Sequence, residues 1–192
     1  MKILGISASP RVGGNTEFIV NEVLKSAKEE GAEVELLTMV NKEIKPCMAC
    51  ESCYENAECA IQDDDAAFFF DKMMEADGIV IGSPVYFGSV TSPLKSLIDR
   101  EQVLWNQERS FKGKICASVA VGWKWGHNTT LSAIDGFFLT NKGMVISNGG
   151  VPGFGLMVYA EGKGEAEKNE DAIKEAIELG KLMVETINKV KE

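Results

Sequence analysis

Short apolar runs alternate with stretches of helical period along the chain. Lys2 to Ser7 is an apolar run of strand length. Thr16 to Gly31 carries Phe18, Ile19, Val23, Leu24 and Ala27 at helical spacing, and Gly31 predicts the stop. Glu33 to Thr38 predicts a second strand. Asp64 to Ala76 predicts a helix with Phe68, Phe69, Met73 and Met74 facing inward. Asp77 to Gly82 predicts a third strand, and Ser92 to Glu101 a helix with Pro93 in its first turn. Lys114 to Gly122 predicts a fourth strand, Thr129 to Lys142 a helix ended by Gly143, and Met144 to Ser147 a fifth strand. A long terminal helix is expected over Glu165 to Lys191, with Ile173, Ile177, Leu179, Met183, Val184 and Ile187 along it.

Strands alternating with helices of about 10–20 residues predict right-handed βαβ units and a parallel sheet. The expected class is α/β: a three-layer, doubly wound, five-stranded parallel sheet in the order 2-1-3-4-5. Ligands of such sheets sit beyond the carboxyl ends of the strands, at the switch between strands 1 and 3. Residues 1–192 read as one domain, with a cysteine-rich loop over 41–63 inserted after strand 2.

Composition narrows the function. The chain has 192 residues, 45% hydrophobic and 26% charged, enough for a core without disulfides. Twenty Lys+Arg against 29 Asp+Glu give −9, which argues against nucleic acid or an anionic membrane as partner. No apolar run nears the ~20 residues of a membrane span. The opening Met1 to Ser7 is too short for a secretory h-region, so a cytoplasmic protein is expected.

The loop after strand 1 runs Ser7-Ala8-Ser9-Pro10-Arg11-Val12-Gly13-Gly14-Asn15-Thr16 into a helix. Unpaired N–H groups and partial positive charge at a helix N-terminus suit a phosphate, and Arg11 can add charge-assisted bonds. An ordinary Ser/Asn cap with turn glycines is the competing reading. There is no G-x-x-x-x-G-K-[ST] and no G-x-G-x-x-G; Gly153-Phe154-Gly155 has Val158 in the last place. After strand 3, Pro84-Val85-Tyr86-Phe87-Gly88 places two aromatics at the switch point, where they can face a planar ring. After strand 4, Gly122-Trp123-Lys124-Trp125-Gly126-His127 adds two tryptophans on the same edge. His127 reads as a cap or packing residue, and Lys124 as a solvated one.

These loops, S-x-S-P-R-x-x-G-N-T and S-P-V-Y-F-G, resemble the flavin-mononucleotide loops of NAD(P)H-dependent flavin and quinone reductases of flavodoxin-like fold. The resemblance implies that Ser9, Arg11, Asn15 and Thr16, with Gly14 among them, hold the phosphate of FMN. It implies that Pro84, Val85, Tyr86, Phe87 and Gly88 hold the isoalloxazine ring, with Gly122, Trp123 and Gly126 closing its other side.

Four of the five cysteines, Cys47, Cys50, Cys53 and Cys59, lie within 13 residues as C-x₂-C-x₂-C-x₅-C. Three thiolates three residues apart on one tight loop can cover three corners of a cubane, with the fourth arriving from farther along. The first spacings equal those of bacterial ferredoxins; the x₅ gap and Ala60 in place of proline depart from them. Zinc also accepts four thiolates, although its folds usually use two separated C-x₂-C knuckles. Continuous C-x₂-C-x₂-C favours a [4Fe–4S] cluster. Cys116, in a predicted core strand, reads as a small buried hydrophobe.

Cluster and flavin loops together resemble the iron–sulfur flavoproteins of methanogens and other anaerobes. The resemblance implies electron transfer from a ferredoxin-type donor through a [4Fe–4S] cluster and FMN to an acceptor, in a homo-oligomer, dimer or tetramer. No side chain stands out as an acid–base catalyst. An NAD(P)H-dependent flavin or quinone reductase, and a regulatory module with a structural metal, are the alternative readings.

Overall fold

The computed structural model describes residues 1–106, 109–148 and 155–191. Gly153 and Phe154 of the glycine near-miss lie outside the described residues. In chain order the elements are β1 (Lys2–Ser7), α1 (Asn15–Glu29), β2 (Glu33–Thr38), α2 (Ser52–Asn56), α3 (Ala66–Glu75), β3 (Gly78–Pro84), α4 (Ser92–Ile98), α5 (Gln102–Asn106), β4 (Ile115–Gly122), α6 (His127–Thr140), β5 (Met144–Val145), β6 (Leu156–Tyr159) and α7 (Glu170–Lys191). No helix among the described residues is long and apolar enough to cross a membrane.

The strands pair in parallel in the order β2-β1-β3-β4-β5, as the alternation of elements predicts. The fifth position differs from expectation. Instead of one strand over Met144 to Ser147, β5 pairs with Ile115–Cys116, and β6 pairs with Val119–Gly122 farther along the same edge of β4. Among the described residues the sheet thus has six strands, two of them sharing one position. The polar residues Ser147 and Asn148 have poor strand propensity, which accounts for β5 ending at Val145.

Helices cover both faces. Ile3, Val80, Ile115, Val119 and Val121 pack beneath α1 and α7. Leu4, Ile6, Ile79, Ile81 and Cys116 pack against α3, α4 and α6 on the other side. A strand buried on both faces is apolar throughout, so β3 and β4 read as continuous runs rather than alternating ones. On α7, Gly180 permits the close approach to α1: a Cβ there would lie 2.3 Å from Val23 O. At the approach, Ser26 Oγ donates to Ile177 O at 2.7 Å.

One buried carboxyl opposes stability at neutral pH. Asp135 of α6 is buried against the sheet, and its Oδ1 has no partner among the described residues. Burial pushes its carboxyl up to about 6, and the nearby Ser118 hydroxyl offsets only part of this. In the unfolded chain an aspartate titrates near 3.9. The folded state therefore binds the proton more tightly. Stability falls as pH rises through the window from about 4 to about 6 and stays lowered above it. Asp135→Asn is expected to add about 1–2 kcal/mol at pH 7, a gain that shrinks toward zero near pH 4. Denaturant unfolding at the two pH values checks this; an equal gain at both contradicts it.

Candidate functional site

Two groups of loops at the carboxyl edge carry the chemistry. The first surrounds the start of α1. Ser9 Oγ accepts the Arg11 N–H at 3.1 Å, which closes the turn leaving β1. Gly13 adopts a φ of +58° and its N–H donates to Glu17 Oε2 at 3.0 Å. Gly14 stands at the N-cap with extended backbone and no side-chain cap. A Cβ on Gly14 would meet Ser9 Oγ at 3.2 Å. No N-cap side chain covers the first N–H groups of α1, and an exposed Arg11 lines the same cavity as the helix start.

A cavity of about 210 Å³ lies here. Ser9, Arg11, Gly14, Asn15, Thr16, Pro84, Val85, Tyr86, Gly122 and Trp123 all line it, so ten of the thirteen expected flavin residues converge. The other three, Phe87, Gly88 and Gly126, line an adjoining cavity of about 450 Å³ together with Trp125 and Tyr159.

The turn between these cavities is unusual. Tyr86 and Ser89 exchange backbone hydrogen bonds of 2.9 and 3.1 Å, with Phe87 and Gly88 between them at φ +48° and +77°. Positive φ at both central positions defines a primed hairpin turn. Phe87 adopts it despite its bulk and is fully exposed at the tip. Trp125 packs over Gly88, where a Cβ would lie 2.8 Å from the indole. His127 is used in packing, as expected: it is buried, with Nε2 3.1 Å from Val158 O and its ring 4.3 Å from that of Tyr159. Lys124 Nζ stands 3.6 Å from the centroid of the Trp123 ring.

Asn15 performs a task that the sequence did not show. Its Nδ2 donates to Gly162 O at 2.8 Å, and its Oδ1 accepts from Gly164 and Ala166 N–H at 2.9 and 3.3 Å. The carboxamide thereby ties the loop after β6 to α1. That loop brings Ala160, Glu161 and Lys163 into the cavity wall. Lys163 Nζ donates to Val12 O at 3.2 Å and is a second cation at the helix terminus. A Gly-Lys-Gly turn following a short apolar run was the available signal.

The second group is the cysteine loop. Cys47, Cys50, Cys53 and Cys59 line one cavity of about 460 Å³, closed on the other side by Ile98, Arg100 and Val103. Ala49, Glu51 and Ala57 all adopt left-handed backbone, with φ of 51°, 62° and 55°. Three non-glycine residues in that region within one short loop is a costly arrangement, of the kind found where a function fixes the backbone. These bends flank α2 in the loop whose four thiols line the cavity. The N–H of Ala49 donates to Cys47 Sγ at 3.5 Å, and Arg100 Nη2 donates to Cys59 Sγ at 3.4 Å. Burial pushes the Cys53 thiol up, and the charges of Cys59, Cys47 and Cys50 add to the effect. Four sulfur side chains lining one space are soft donors of the kind that hold an iron–sulfur or zinc centre. Among the described residues, no three His, Cys, Asp or Glu side chains stand close enough together to hold a single metal ion.

Cys116 is apart from this group, buried in β4 against the core, as expected. Burial pushes its thiol up to about 12. In iron-free native protein, iodoacetamide is expected to modify the loop cysteines and to spare Cys116 until the fold is opened. Peptide mapping checks this, and early modification of Cys116 would contradict its assignment to the core.

Similarity to known proteins shows the family. The sequence profile of the NADPH-dependent FMN reductase family matches residues 1–153. The chain is 37% identical over 195 residues to an iron–sulfur flavoprotein of Methanocaldococcus jannaschii, with 100% of both chains covered. It is 43% identical over 122 residues to an iron–sulfur flavoprotein of Methanosarcina thermophila, covering 64% of this chain and 63% of that one. Among solved structures, it superposes on a flavone reductase with a TM-score of 0.72 at 23% identity, spanning 100% of this chain and 65% of that one. An archaeal flavodoxin gives 0.64 at 16% identity, with 100% of both covered. With the flavodoxin-like sheet and the full-length identity together, the chain belongs to the NADPH-dependent FMN reductase family and to the iron–sulfur flavoproteins, and is an oxidoreductase.

Proposed function

We propose that this protein takes single electrons from a ferredoxin-type donor at a [4Fe–4S] cluster and passes them through FMN to an acceptor. The observation that carries the reading is the convergence of four cysteines on one cavity in a chain whose α1 terminus forms a separate anion cradle. Cys47, Cys50, Cys53 and Cys59 would ligate the cluster. Ser9, Arg11, Thr16, Lys163 and the N–H groups of α1 would hold the phosphate. Pro84 to Tyr86, Gly122 and Trp123 would flank the ring. The cluster exchanges one electron and the flavin one or two, so single electrons can be gathered and delivered as a pair. The chain's contribution is to position the groups, exclude water and supply N–H donors to sulfur.

The cysteine cavity and the α1 cavity share no lining residue. Phe87, Trp125, Trp123 and Tyr159 meanwhile expose aromatic surface at the flavin edge, more than a lone acidic domain usefully shows. Both features support a homo-oligomer in which the cluster of one subunit lies near the flavin of the next. The test combines subunits lacking the cluster (Cys50→Ala) with subunits lacking flavin. Reduced ferredoxin should bleach the flavin in mixed oligomers and in neither parent. Bleaching by NADPH alone, with no response to ferredoxin, would favour a direct flavin reductase. A colourless zinc protein would favour the regulatory module.

A further inference from the structure

Arg100 follows α4, and Asp64 precedes α3; their side chains are 3% and 1% exposed. The guanidinium is held on several sides. Nη1 donates to Asp64 Oδ2 and, at 3.4 Å, to Lys45 O. Nη2 donates to Ile61 O at 3.0 Å and to Cys59 Sγ at 3.4 Å. Asp64 in turn accepts the N–H groups of Lys45 and Ala66 at 2.9 and 3.1 Å. Desolvation makes a buried ion pair a poor source of net stability, so the pair calls for another explanation. Two details indicate one. One arm of the fork reaches a sulfur as well as the Ile61 carbonyl oxygen. Arg100 Nε is buried without a partner among the described residues, while the side chain lines the cysteine cavity.

We propose that Arg100 is a positioning residue for the cysteine centre, fixing Cys59 and holding a permanent cation against its sulfur so that the centre accepts an electron more readily. The proposal rests on the reading that the four cysteines carry an iron–sulfur cluster. Reduction adds one negative charge to a group already bound by four thiolates. A guanidinium in contact with a ligand sulfur offsets that added charge, and does so strongly where water is excluded. An N–H donated to sulfur also withdraws electron density from it. Asp64 lies on the other arm of the fork, where it orients the guanidinium and leaves Nη2 to face Cys59 and Ile61.

Two variants test this. Arg100→Lys keeps a cation for Asp64, but one ammonium cannot reproduce a fork shared between Asp64 and Cys59. Asp64→Asn combined with Arg100→Gln removes both charges and strands neither. Wild type and variants are purified anaerobically and assayed for iron, sulfide and the midpoint potential of the cluster by spectroscopic redox titration. The reduction equilibrium in Arg100→Lys is expected to fall about tenfold, which is 59 mV toward negative values. The double variant should fall at least as far, with the flavin potential unmoved. Fully loaded variants at the wild-type potential would overturn the proposal and leave the pair a structural one. If a variant loses its iron, its iron-free form decides. A thermal midpoint equal to that of iron-free wild type supports a role at Cys59, and a midpoint lowered along with the iron overturns it. A wild type containing neither iron nor sulfide would instead overturn the reading of the cysteines, a result distinct from a loaded but unshifted variant.

Discussion

Cys53→Ala is expected to strip the iron and sulfide from the anaerobically purified protein while leaving FMN bound. Cys53 occupies the second position of α2 and is half-buried, packed against the core on one side and facing the cysteine cavity on the other. Asn106 Nδ2 donates to its carbonyl, fixing the backbone from α5. The thiol is therefore placed by two helices rather than by a free loop, and no other described cysteine can replace it. Cys116 cannot move in, because it lies within β4 with its side chain in the core. Cys47→Ala, Cys50→Ala and Cys59→Ala should lose iron as well, whereas Cys116→Ala should retain the full complement. Flavin should remain in all of these variants, since the cysteine cavity and the α1 cavity have no residue in common. Iron, sulfide and flavin analysis of the purified proteins decides it. Full iron retention in Cys53→Ala would refute the ligand assignment.

How far the sequence could be read follows from the range of the interactions involved. The order of elements is a local property: apolar runs of strand length and helical periods report themselves, and parallel βαβ units leave few ways to order the strands. Hence β1 to β4 and their helices could be placed from the chain alone. Short elements escaped. SCYEN (α2) and QVLWN (α5) are five residues each, too brief for a period to show. LMVY (β6) has no neighbour in sequence that pairs with it, and its strand character comes from β4. That the four cysteines share one cavity was legible because they lie within 13 residues of one another. Arg100 with Asp64 was not, because 36 residues separate them and nothing local links an arginine after one helix to an aspartate before another. Asn15 was misleading for the same reason. A cap-type residue at a helix start suggests a local bond or a phosphate, but its carboxamide bonds a loop nearly 150 residues away.

That long-range tie gives the second large expected effect. Arg11→Ala combined with Lys163→Ala should weaken FMN binding by about 3–5 kcal/mol, between two and four orders of magnitude in dissociation constant. Each cation can donate a charge-assisted bond to the phosphate, worth about 1.5–3 kcal/mol. Both are exposed, so the effect of each should diminish at high salt. Arg11→Ala alone should account for more than Lys163→Ala, because Arg11 belongs to the turn closed by Ser9 and Lys163 reaches in from the loop held by Asn15. The N–H groups at the start of α1 remain in every variant and set the residual affinity. Riboflavin supplies the control, since it carries the same ring without the phosphate. Its affinity, read by recovery of flavin fluorescence on dilution, should be the same in wild type and double variant. An equal loss for riboflavin and FMN would place the two cations at the ring, or in the fold alone, and would remove them from the phosphate site.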